Sequence, residues 1–150
     1  MRKDWAQGAL EDAFAAHPIG VKPRLIWKNY RVTAGTAHCG TWTIALSQLI
    51  LESEEQVRVT VLHEYAHLLA VYRHGRKAAN HGRAWRQAMA DLGLDPIVTH
   101  RYPVIRNQPS ENAVEYICEK CGTVITRRRR LSRSKLWSHR GCGGLVKLRK

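Results

Sequence analysis

The sequence predicts an α+β fold in two parts, on three observations. His63, Glu64 and His67 spell H-E-x-x-H inside a long stretch of helical periodicity. Short β-branched and aromatic runs precede that stretch between residues 24 and 46. Cys118, Cys121, His139 and Cys142 follow it in a strongly basic tail. Residues 1–105 are therefore expected to form a lobe of helices and a small sheet, and residues 106–150 a small β subdomain.

Composition narrows the classes. A chain of 150 residues with 44% hydrophobic content is long enough for one globular domain with an appendage. No apolar run approaches the length of a membrane span, and no signal-peptide core follows Met1-Arg2-Lys3-Asp4-Trp5. The expectation is an intracellular protein without a membrane partner: cytoplasmic and nucleoid-associated, or nuclear in a eukaryote. The net charge of +13 is unevenly spread. Residues 1–100 hold 12 Lys and Arg against 9 Asp and Glu, whereas residues 101–150 hold 13 against 3. Such a basic tail fits a polyanion, most simply a nucleic acid.

Residues 4–16 place Trp5, Ala9, Leu10, Ala13 and Phe14 on one helical stripe, which His17-Pro18-Ile19-Gly20 stops. Glu11 and Asp12 on the other face point to packing rather than to a membrane surface. Strands are expected over Arg24–Trp27, Tyr30–Thr33 and Thr41–Leu46, with turns at Lys28-Asn29 and Ala34-Gly35. His38 and Cys39 fall between Gly35 and Gly40; Cys39 reads as a small buried residue, and neither is counted as a ligand.

The next helix opens on a capping box, with Ser53 as N-cap and Gln56 three residues on. Glu54 and Glu55 suit the positive end of its dipole. Val57, Val61, Leu62, Tyr65, Leu68, Leu69 and Tyr72 recur at helical spacing. His63 and His67, four apart, share one face and reach one metal ion. Two core histidines would explain burial but not the Glu between them, because a buried carboxylate is rare unless paired or metal-bound. A zinc ion held by neutral imidazoles acidifies a bound water, and Glu64 is placed to take its proton.

A catalytic zinc needs a third protein ligand. Ala70 and Arg73 stand where a longer H-E-x-x-H-x-x-G-x-x-H pattern requires Gly and His, and His74 misses by one residue. Beyond the basic loop Arg73–Asn80 lies a second helix, capped by Asn80 or His81, with Trp85, Ala88, Met89 and Leu92 as its stripe and Gly93 and Pro96 at its end. His81 and Asp91 both remain as third ligands. Tyr72, His74 and Tyr102 are candidates for stabilising an oxyanion, without support from spacing. Residues 95–109, with Pro103 and Pro109, read as the linker.

In the tail, Cys118-x-x-Cys121-Gly122 and His139-x-x-Cys142-Gly143 are separated by the 17 residues 122–138. A closed Cys3His set at this spacing is a structural zinc site of zinc-ribbon type. Between the pairs, Arg127, Arg128, Arg129, Arg130, Arg133 and Lys135 make the densest positive segment of the chain. Arginine forks suit phosphates, and Trp137 or Tyr116 is suited to stack on an unpaired base. The expected partner is DNA, single-stranded or at a junction, read without sequence preference.

His63-Glu64-x-x-His67 followed by His81-Gly82-x-x-Trp85 resembles the SprT-like metalloproteases, the group that includes Spartan. Arg31-Val32-Thr33-Ala34-Gly35 and Ile44-Ala45-Leu46-Ser47 resemble that family's hairpin and its lead-in to the active helix. The likeness runs from about Trp5 to Leu145. It implies a zincin-like metalloprotease lobe with zinc on His63, His67 and His81 and with Glu64 as general base. It implies two zinc ions, one catalytic and one structural, and a monomeric protease, DNA-dependent in several members, acting on proteins bound or crosslinked to DNA. The chain is similar to the short bacterial form. A reading of another class keeps the metals and the charge but makes the lobe a scaffold for a non-catalytic nucleic-acid-binding accessory protein, tied to transcription or repair.

Overall fold

The computed structural model describes residues 1–105 and 113–149. The chain divides into two compact units, Met1–Arg106 and Asn107–Lys150. Pro109, expected in the linker, lies outside the described residues.

The first unit mixes three helices with a small sheet. Helix α1 (Arg2–Ala16) buries Ala6, Ala9, Leu10 and Ala13. It packs on helix α2 (Glu54–His74). The Arg2 guanidinium donates to the Gln48 and Leu51 carbonyls, both at 2.9 Å, and so ties the start of α1 to the approach of α2. Strands β1 (Arg24–Lys28), β2 (Gly35–His38) and β3 (Thr43–Ser47) form a sheet of order β1-β3-β2. β1 runs parallel to β3, and β2 runs antiparallel to it, with Thr36 opposite Ala45. β3 is buried along its whole length, as a central strand covered on both faces must be. Ser47 then turns the chain: its hydroxyl donates to the Tyr30 carbonyl at 2.6 Å and accepts from the Leu49 and Ile50 amides.

The capping box is present in full. Ser53 Oγ accepts from the Gln56 amide at 3.2 Å, and Gln56 Oε1 accepts from the Ser53 amide at 3.3 Å. Val57, Val61, Leu62, Tyr65, Leu68 and Leu69 are buried as the stripe predicts. Each fully buried side chain of this size contributes about 1.5–3 kcal/mol. Tyr72 is the exception: it is exposed, with its ring edge-on to Trp42.

Two expected local structures are corrected. Tyr30–Thr33 is not a strand, and the second hairpin arm is Gly35–His38. The Arg31 carbonyl accepts from the Ile105 amide at 2.8 Å, and the Val32 carbonyl is 3.2 Å from His100 Nε2. These distant partners take the groups a strand would have used for a ladder. Helix α3 (Arg83–Asp91) is capped by Gly82, without a side-chain cap bond, rather than by Asn80 or His81. Asn80 acts one step earlier, accepting from the Gly82 amide at 2.8 Å. Gly93, at φ +75, ends the helix as expected.

The second unit is a three-stranded antiparallel sheet of order β5-β4-β6, from β4 (Val114–Cys118), β5 (Val124–Arg127) and β6 (Val146–Leu148). Gly122 and Gly143 adopt φ of +71 and +70, which is why glycine follows each Cys there. No helix among the described residues is long and apolar enough to cross a membrane.

One contact sets how closely β2 lies on α2. A Cβ at Gly35 would stand 2.7 Å from Thr60 Cγ2, 3.1 Å from Glu64 Cγ and 3.2 Å from the Ala45 carbonyl. Two of these partners are buried side chains of α2 and the third is backbone, so little yields. Gly35→Ala is expected to destabilise the protein by about 1–3 kcal/mol, as overpacked core sites do. Thermal unfolding checks this, and an unchanged midpoint contradicts it.

Candidate metal centres

Helix α2 presents His63 and His67 on one face because four residues complete just over one turn. The turn before α3 brings His81 to the same point. Asn80 fixes that turn from both sides, since its Nδ2 also donates to the Lys77 carbonyl at 3.4 Å. A Cβ on Gly82 would lie 2.5 Å from Asn80 Oδ1, so the turn requires glycine. His81 Nε2 comes to rest 3.2 Å from His63 Nε2 and 3.1 Å from His67 Nε2. Ligands about 2.0–2.1 Å from a tetrahedral zinc stand roughly 3.3 Å apart, so the spacing fits that ion.

The donors are neutral bases. Burial first, and the neighbouring His81 second, push His63 and His67 down to about 4. Burial lowers His81 as well. The Ile97 and Ala79 backbones oppose the fall at His63 and His67 respectively. His67 Nδ1 is buried, and its approach to Ala79 falls short of hydrogen-bond geometry. Trp85 forms the wall behind all three rings. It is fully buried, with ring centroids 4.9, 5.5 and 4.6 Å from those of His63, His67 and His81. Its Nε1 donates to the His63 carbonyl at 3.4 Å. In the sequence Trp85 stands out as part of an apolar stripe and of His81-Gly82-x-x-Trp85; its position four residues after His81 is the signal for this further role.

Glu64 is 6% exposed and forms no ion pair among the described residues. Burial pushes its carboxyl up to about 8, against a smaller opposing hydrogen bond from the Ala37 backbone. It shares one cleft with the three histidines, walled by β2, α2 and residues 94–102. The cleft encloses roughly 1250 Å³. That exceeds small-ligand pockets, which reach about 1,000 Å³, and leaves room for a stretch of polypeptide. Of the two candidates for third ligand, His81 joins the pair, while Asp91 pairs with Arg73 and accepts from Gln87 away from the cluster. Tyr102 lines the cleft, with His100 stacked on it at 4.9 Å; Tyr72 and His74 do not line it.

The second unit gathers the other expected set. Cys118, Cys121, His139 and Cys142 offer ligand atoms all within 4.8 Å of one another. Cys118 Sγ is 3.4 Å from Cys142 Sγ, and His139 Nδ1 is 3.3 Å from Cys121 Sγ and 3.4 Å from Cys142 Sγ. These spacings suit zinc, whose sulfur ligands lie about 2.3 Å away. The Thr123 hydroxyl, then its backbone, pushes the Cys121 thiol down to about 6, towards the thiolate a metal binds. Gly144, which no motif in the sequence singles out, packs on this set: a Cβ there would stand 2.6 Å from Cys118 Sγ.

Arg127, Arg128, Arg129, Arg130, Arg133 and Lys135 are exposed and form no ion pair among the described residues. Trp137 is 37% exposed, its Nε1 donating to the Ser132 carbonyl at 3.1 Å. Tyr116 is not free to stack on a base. It is buried, and its hydroxyl accepts from the Leu131 amide at 2.8 Å, anchoring the arginine-rich segment to β4.

The SprT-like family model matches residues 7–104. A protein named Protein SprT from Pectobacterium carotovorum is 32% identical over 126 residues, covering 81% of this chain and 74% of the relative. Protein SprT from Photorhabdus laumondii is 30% identical over 129 residues, covering 69% and 66%. No solved structure matches the chain.

The buried carboxyl makes a prediction for the metal-free protein. Folding raises Glu64 from 4.5 to about 8, so the folded state holds a proton that the unfolded chain releases. That contribution to stability is present below 4.5 and is lost as pH rises towards 8. Glu64→Gln, which carries no charge to desolvate, is expected to raise the apo-protein's melting temperature by several degrees at pH 8 and hardly at all at pH 4.5. Equal effects at both pH values would show that the carboxyl is not held in its neutral form.

Proposed function

Because the chain belongs to the SprT-like family, we propose that it is a zinc-dependent endopeptidase, stimulated by DNA, that acts on proteins bound or crosslinked to DNA. The observation that carries this reading is the meeting of three neutral imidazoles beside one buried carboxyl group in a polypeptide-sized cleft. On this reading the first unit is a zincin-like lobe, and His63, His67 and His81 hold the catalytic zinc. Zinc held by these residues would supply a Lewis acid for the scissile carbonyl and would acidify water. Glu64 serves as general base, takes the proton from the attacking water, and returns it to the leaving amine. Its carboxyl lies buried in the same cleft as the three imidazoles, and a zinc ion held by them would draw it to the ionised form that accepts a proton.

The second unit is read as a zinc ribbon with a structural ion on Cys118, Cys121, His139 and Cys142. Arg127 to Arg130, Arg133 and Lys135 contact phosphates, and Trp137 stacks on an unpaired base. Their charge recognises the backbone, so binding is independent of sequence. A tail that holds DNA raises the local concentration of DNA-bound proteins at a cleft on the same chain, which gives selectivity without side-chain pockets. The protein acts as a monomer inside the cell, close to its DNA.

Cleavage of casein or histone, with and without single-stranded DNA, tests the reading. Glu64→Gln is expected to lower the rate by about 10²–10⁴-fold while metal content and DNA affinity stay at wild-type levels. A wild type that binds DNA well yet remains inert with every DNA form would leave the accessory-protein reading standing. Metal analysis should find two zinc ions per wild-type chain and one in His81→Ala. Affinity for DNA should fall linearly in log–log terms as salt rises.

A further inference from the structure

The loop that carries His81 holds a charge that the metal site does not use. From Arg73 to Ala90 the chain contains Arg73, Arg76, Lys77, Arg83 and Arg86 and no acidic residue. Arg73 is neutralised by Asp91. Arg76, Lys77, Arg83 and Arg86 are exposed and form no ion pair among the described residues.

These four cations ride on a stitched corner. Arg76 and Lys77 lie on the 3-10 turn Arg76–Ala78, and Arg83 and Arg86 lie one helical turn apart on α3. Only residues 79–82 separate the two elements, a gap of at most about 18 Å even if fully extended. The corner is rigid: the Ala79 amide donates to the Arg76 carbonyl at 3.1 Å, Asn80 Nδ2 to the Lys77 carbonyl at 3.4 Å, and Arg86 Nε to the His81 carbonyl at 3.4 Å. Pre-ordered like charges on such a surface are mutually repulsive and lower their energy by meeting a polyanion.

We propose that this corner of the first unit is a second nucleic-acid contact surface, one that grips backbone phosphates without reading sequence. The proposal rests on the DNA-binding part of the function proposed above but not on the tail. Arginine is the predominant cation, and its planar fork matches phosphate oxygens. No large apolar side chain between residues 73 and 91 is exposed, so the corner lacks the wedge that an interfacial membrane site buries in lipid. His81 sits between the two cation pairs, so nucleic acid held here lies along the loop that supplies the third imidazole.

The test uses the full chain and fluorescence anisotropy with a single-stranded oligodeoxynucleotide over a salt series. Four proteins are compared: wild type; Arg76→Glu with Lys77→Glu and Arg83→Glu; Arg127→Ala through Arg130→Ala; and the two sets combined. Loss of three phosphate contacts is expected to make the slope of log affinity against log salt about 2 units shallower, at about 0.7 per contact on single strands. The combined protein should bind more weakly than the tail variant alone. A lobe variant with the wild-type slope, or a combined protein no weaker than the tail variant, would overturn the proposal. So would a lobe variant that loses binding only to phosphatidylserine vesicles. A tail variant with the wild-type slope would instead count against the tail reading alone. Arg76→Lys with Arg83→Lys keeps the charge and should keep the slope, which separates charge from misfolding. If the triple variant folds poorly, Arg83→Gln alone should reduce the slope by about 0.7, and no reduction would count against the corner.

Discussion

Three imidazoles converge on one point, with His81 Nε2 3.2 Å from His63 Nε2 and 3.1 Å from His67 Nε2. Nothing in hydrophobic packing favours that arrangement. Three separate devices hold the rings in place. The pitch of α2 sets His63 against His67. The Asn80–Gly82 turn returns His81. Trp85 closes the wall behind them. A cation at the point of convergence would satisfy all three nitrogens at once, and the cluster suits a charge that its own side chains do not provide. Glu64 is bound by the same constraint. Its carboxyl is costly where it lies unless something nearby is positive.

The second unit meets the same demand with far less protein. Tyr116 and Cys118 are its only buried hydrophobic residues among those described. A core so small cannot offset the entropy of ordering the chain, which is the usual situation in which a metal supplies the stability of a ribbon. The four ligands come from two turns whose glycines take left-handed conformations, and Gly144 lets the chain pass against Cys118. A metal on this set would hold the surface that displays the exposed arginines more than packing does.

Much of this is legible in the residues, and the rest is not, for definable reasons. The capping box and the stripe of α2 are local patterns, and they appear where the spacing puts them. The two ligand sets are legible because metal coordination demands particular side chains at particular intervals. The edge strand β2 is not legible. Gly35-Thr36-Ala37-His38 has a single β-branched residue, and its place comes from close packing on α2. Tyr30–Thr33 has the better strand composition, but its carbonyls are taken by Ile105 and by His100, 68 positions beyond Val32. Neither partner falls within a local window. The choice between His81 and Asp91 turns on whether Arg73 engages the carboxylate, which is a tertiary fact. Tyr116 misleads because an aromatic in a basic segment resembles a stacking platform until its hydroxyl is seen holding the Leu131 amide.

The position of His81 has one more consequence, for the chain as a polymer. His67 and His81 are 14 positions apart and belong to different structural elements. An ion gripping both ties off a ring of chain much as a disulfide does. For a ring of this length, the freedom removed from the unfolded chain is worth about 3 kcal/mol in the loop-closure model. Occupancy would thus act as a reversible staple between α2 and α3, and the lobe's resistance to unfolding would follow the supply of metal.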